Sequence, residues 1–134
     1  MSLGSWDPSA DAAAGAIALE PALLQRLVGY SRDDQLGQLQ QLIAAQESQR
    51  LAGLMKIDHS AWRDAAESLP SEDLLHLLRF LAVAENLPGW EAGQQSPVIP
   101  LAKVLRTRGQ RLDRDLLQWL REVNDNRFLP YGPL

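Results

Sequence analysis

The chain has 134 residues, 46% of them hydrophobic and 22% charged, with a formal net charge of −4, two histidines and no cysteine. A length of this order suits one domain whose core needs neither a disulfide nor a metal. The absent cysteines exclude disulfide frameworks, thiolate zinc sites, iron–sulfur clusters and cysteine nucleophiles; two histidines exclude a three-histidine zinc site; and the acidic balance opposes a nucleic-acid coat or a membrane-surface protein.

Leu occurs 25 times and Ala 17 times, whereas Ile, Val and Thr together occur 10 times. Leu and Ala enter helices at little cost, and β-branched residues are the usual filling of strands. The expectation is an all-α fold: a compact bundle of six or seven short helices, with HEAT-like helical hairpins as one arrangement. Residues 1–19 read as a flexible lead-in, 20–124 as the helical domain, and 125–134 as a non-helical tail packing on it. The first twenty residues hold no Lys or Arg, and Asp7, Asp11 and Glu20 make them acidic. A secretory leader begins with positive charge, and no apolar run approaches the ~20 residues of a membrane span. The expected setting is cytoplasmic, in a bacterial style.

A first helix is expected over residues 21–30, with Pro21 at its first position and Leu23, Leu24, Leu27 and Val28 on its apolar face. Ser31 and Asp34 then resemble a capping box opening a second helix, with Leu36, Leu39, Leu42, Ile43 and Gln46 at inward spacing. A third stretch over 47–56 offers Leu51, Leu54 and Met55. Asp58 is placed to cap a fourth helix carrying Trp62, Ala65, Ala66 and Leu69. Ser71 is placed to cap a fifth over 72–86, nearly apolar all round and therefore central. A sixth helix starts at Pro97 or Pro100 and ends at residue 108 before Gly109, a C′ glycine. The seventh starts at Asp113, with Leu112 and Leu117 set as a hydrophobic staple.

One internal similarity has a shift of 39 residues, laying Asp34, Leu36, Leu39, Leu42, Ala44 and Ala45 on Asp73, Leu75, Leu78, Leu81, Val83 and Ala84. Such a period is that of paired-helix repeats, although two Leu-rich amphipathic helices align equally well without being repeats.

Phosphate-binding glycine loops, zinc-protease and calcium-loop spacings, and the serine-hydrolase elbow are all absent. Asp58, His59 and Ser60 have the composition of a triad. Neighbours in sequence diverge on a helix, so a polar helix start explains them better. Asp73, His76 and Arg79 fall on one stripe of the fifth helix. They form a ligand-orienting or acid–base cluster if a pocket faces them, and a solvated strip otherwise. No cofactor or metal is expected.

Charge is distributed unevenly. Residues 1–100 carry 6 basic and 13 acidic groups, and residues 101–134 carry 7 basic and 4 acidic groups. No acid lies between Glu91 and Asp113, where Lys103, Arg106, Arg108 and Arg111 fall, followed by Arg114. These five residues are the candidate docking patch, with Trp90 and Tyr131 as candidate anchors, because Arg suits bidentate carboxylate or phosphate contacts and loop aromatics either fold onto the core or anchor interfaces. The reading is a non-catalytic protein–protein interaction or regulatory module whose partner is a protein with an acidic or groove-binding surface. One alternative is a nucleic-acid-binding regulator using the helix-turn-helix-like segment 101–124. The other is a small enzyme or ligand-binding protein with a pocket around Asp73, His76 and Arg79.

Overall fold

The computed structural model describes residues 17–126, 128 and 129. Among these residues the chain forms a compact all-α bundle of seven short helices without strands: α1 (Pro21–Arg32), α2 (Leu39–Leu42), α3 (Ala45–Leu51), α4 (His59–Glu67), α5 (Ser71–Ala84), α6 (Val98–Thr107) and α7 (Arg114–Val123). Short 3₁₀ turns at Leu36–Gln38, Ala52–Lys56 and Gly93–Gln95 join them.

Helix α5 is the axis. Leu74, Leu77, Leu78, Phe80, Leu81, Ala82 and Ala84 are buried on it, and α1, α6 and α7 pack around it, with α4 laid on α6. A helix apolar on nearly every side must be enclosed this way to keep its side chains from water. Phe80 stacks on Tyr30 of α1 at 5.6 Å between centroids and meets the edge of Trp90 at 6.4 Å, so one ring from α5 joins the first helix to the loop after α5. Burial of Leu51, Leu54, Met55, Trp62, Ala66 and Leu69 agrees with their expected inward spacing.

Capping is local chemistry and is read well in two places. The Asp58 carboxylate accepts from the Ser60 backbone N–H and hydroxyl, which holds it below the usual carboxylate range, and the Asp113 carboxylate accepts from the Leu116 N–H at 2.7 Å. Gly109 closes α6 at φ +82°, a conformation that strains any L residue with a Cβ.

Several boundaries differ from the sequence expectation. Ser31 does not open a second helix; it lies inside α1, which ends on a residue with positive φ, Asp34 at +58°. The Gln35 N–H reaches the Tyr30 carbonyl at 2.8 Å and the Asp34 N–H reaches that of Ser31 at 3.1 Å, a Schellman ending with Asp34 where glycine is usual. Past this reversal, residues 36–42 fold as a 3₁₀ turn and one turn of α-helix. Leu39 and Ile43 are buried there, whereas Leu42 is 41% exposed and Gln46 faces solvent. Residues 34–45 and 73–84 therefore have different structures despite their aligned leucines, so the 39-residue similarity is not a structural repeat. Pro70, not Ser71, is the N-cap of α5, and that helix stops at Ala84. Pro97 is the N-cap of α6, and Pro100 occupies its first turn, where a missing N–H costs nothing.

Candidate functional site

The basic residues of the C-terminal third divide according to helix phase. On α6, Val98, Leu101, Ala102, Val104 and Leu105 are buried, which turns Lys103 and Arg106 outward on one face three residues apart. Arg111, in the extended link to α7, and Arg114, the first residue of α7, are exposed as well. The ion pairs among the described residues are Arg26–Glu47, Arg32–Asp73 and Arg50–Glu47, and none involves Lys103, Arg106, Arg111 or Arg114. The exposed carboxylates Asp113 and Asp115 flank Arg114, so the positive field is strongest from Lys103 to Arg111.

Arg108 is placed differently from the other four. Its guanidinium turns toward α4 and donates to the carbonyls of Leu69 at 2.7 Å and Ala66 at 2.9 Å, and to the Ser71 hydroxyl at 3.3 Å. The two carbonyls stand where α4 ends, that of Ala66 accepting from the Leu69 N–H at 3.0 Å as well, and a cation there also complements the helix dipole. Arg108 closes the corner between α4 and α5 and is spent on the fold.

Trp90 is likewise a core residue. It is 0% exposed, and its indole N–H donates to the Ser48 hydroxyl at 3.1 Å, so no partner can reach it as an anchor. This is the folding-back alternative for loop aromatics, favoured because an indole buries a large apolar area. Tyr131 lies outside the described residues. Within the tail, Leu129 is buried and Phe128 is 43% exposed.

Asp73, His76 and Arg79 each face a different neighbour. Asp73 accepts from Arg32 at 2.6 Å and Gln25 at 3.2 Å; His76 Nδ1 pairs with the Ser31 hydroxyl at 2.8 Å; and Arg79 lies over the Trp119 ring at 5.2 Å. The first two tie α5 to α1 and the third ties it to α7. The residues do not converge on one point, and neither cleft described below is lined by them.

A polar assembly that sequence reasoning missed sits at the far end of α5. Glu85 is 5% exposed and accepts from the Ser96 hydroxyl and from the Asn126 amide at 3.1 Å. Asn126 also donates to the Gly93 carbonyl at 2.8 Å, and Asn124 donates to that of Ala82 at 2.9 Å. Burial outweighs the hydrogen bonds from Ser96, Asn126 and Asn124 and pushes the Glu85 carboxyl above the usual carboxylate range. The sequence carries one signal for this: an acid at the C-terminal end of an apolar helix opposes the dipole and calls for another reason to be there.

Over this assembly lies a cleft of about 350 Å³ lined by Glu85, Asn86, Glu91, Gly93, Asp125 and Asn126, among others, and among the described residues no basic one lines it. A second cleft of about 280 Å³ adjoins it through Asn86 and is walled by Leu36, Leu39, Val83 and Leu87. Among the described residues no group of three or more His, Asp and Glu side chains is placed to hold a metal, and no helix is long and apolar enough to cross a membrane. Comparison of the chain with protein-family models, with curated proteins and with solved structures finds no match.

Proposed function

We propose that the chain is a non-catalytic interaction module that docks an acidic segment of another protein on the outward face of α6 and the link to α7. One observation carries this reading: Lys103, Arg106, Arg111 and Arg114 are exposed and unpaired among the described residues, although the chain as a whole has more acids than bases. Like charges gathered without counter-charges leave a local positive field that steers an acidic partner and fixes its register. Arg106 and Arg111 are its centre, with Lys103 and Arg114 at its edges; Arg108 supports the helix end that presents them. The same reading sets the module in the cytoplasm of a bacterial cell.

The nucleic-acid alternative draws on the same cations. Asp113 and Asp115 at the start of α7, the end by which a recognition helix would enter the phosphate-walled major groove, favour a protein partner over a duplex. Titrating a fluorescein-labelled glutamate-rich peptide and a labelled DNA duplex against the protein at low salt tests both. The expected result is peptide binding that Arg106→Glu with Arg111→Glu weakens by at least about tenfold, or 1.4 kcal/mol, with an unchanged melting temperature. Undiminished peptide binding in that variant overturns the docking reading, and duplex binding tighter than peptide binding replaces it with the alternative.

A further inference from the structure

The basic face and the acidic cleft lie at opposite ends of α7. Arg111 and Arg114 stand at its start, while Asp125 follows its end and lines the cleft with Glu91. Ten helical residues separate these ends by about 15 Å. That span is too long for a side chain on one end to pair with a carboxylate on the other. Glu91 and Asp125 are exposed and, like the four cations, take part in none of the ion pairs among the described residues. Among the described residues one molecule thus displays a cationic face and an anionic recess that are not paired with each other.

Resting on the docking reading above, we propose that the acidic partner of the basic face is the cleft of a second copy of this chain, with Arg106 and Arg111 of one copy meeting Glu91 and Asp125 of the next. Guanidinium and carboxylate match as a two-point fork, and the recess shelters such a pair from part of the solvent screening that weakens exposed ion pairs. The two surfaces differ, so the contact is heterologous. Each bound copy still offers a free face at one end and a free cleft at the other, and assembly proceeds head to tail.

Two complementary variants test the inference. Glu91→Gln with Asp125→Asn removes the charge of the recess and keeps the cationic face; Arg106→Gln with Arg111→Gln does the reverse. In sedimentation at low salt the wild-type mass should rise with concentration past that of a dimer, and fall to that of a monomer at about 1 M salt, where screening acts within about 3 Å. Each variant alone should stay monomeric, and an equal mixture should form a dimer that grows no further, since each pair has one face and one recess left that are both spoiled. Circular dichroism melts of both variants confirm that they are folded.

A wild type that is monomeric at every concentration, a plateau at two copies, or a mixture that fails to pair overturns the inference. The glutamate-rich peptide, titrated against the recess-spoiled variant, separates the two proposals. Retained binding with no self-association removes only the self-partner, and lost binding removes the docking reading as well.

Discussion

The Arg108 guanidinium donates to the Ala66 carbonyl at 2.9 Å, joining α6 to the end of α4 across 42 residues of sequence. Two residues earlier, Arg106 points into solvent. Residues i and i+2 of a helix diverge by about 200°, so adjacent members of one basic run serve opposite purposes.

Arg108→Ala should therefore destabilise the fold by about 1.5–3 kcal/mol, the range for a hydrogen-bonded charge whose acceptors are left behind. Arg106→Ala should change stability by no more than about 0.5 kcal/mol, as surface substitutions do. Urea denaturation of both variants checks the contrast. Arg108→Lys should recover only part of the loss, since an ammonium lacks the planar fork that reaches two carbonyls at once.

Glu85 gives a pH dependence with a definite sign. Its folded value is raised above the roughly 4.3 of an exposed Glu, so between the two values the folded chain binds more protons than the unfolded chain. Its contribution to stability is fully present below the unfolded value and is lost as pH rises through the folded one. Glu85→Gln mimics the neutral acid: its amide can donate to the Ser96 hydroxyl while its carbonyl accepts from Asn126. The variant should be at least as stable as the wild type at neutral pH. The gap should shrink as both are denatured at progressively lower pH.

Trp90→Phe should separate burial from hydrogen bonding at the aromatic cluster. The phenyl ring keeps the edge contact with Phe80 but leaves Ser48 without the indole N–H. A loss of about 1 kcal/mol is expected for the bond, enlarged by the smaller ring, against about 3–5 kcal/mol for Trp90→Ala. Chemical denaturation of the two variants measures both.

Gly109→Ala isolates a backbone effect. Space is open around the position of an added Cβ, so the expected loss of about 1–2 kcal/mol comes from φ +82° alone. A thermal melt near that of the wild type would show that the α6–α7 link adjusts to a different turn.

What the sequence made legible was chemistry confined to one residue and its near neighbours. Asp58 and Asp113 cap because a short carboxylate reaches an N–H two or three residues on, and Gly109 ends α6 because glycine tolerates positive φ. Leucine abundance and helical spacing likewise place α5 at the centre. Ser31 and Asp34 were ambiguous for a local reason, since Asp serves equally as a helix start or as a left-handed helix end. The choice was made by tertiary contact, in which Ser31 pairs with His76 forty-five residues away. The same limit separates Arg108 from Arg106 and hid the Glu85 assembly, whose members come from three stretches of chain.

The two-residue offset at the end of α6 has a consequence for how such a protein changes over time. On the docking proposal, selection for folding would act on Arg108 and selection for partners on Arg106 and Arg111, so the two pressures would fall on separate codons. Partner preference would then drift through substitutions that leave the melting temperature untouched, and new associations would arise without unstable intermediates.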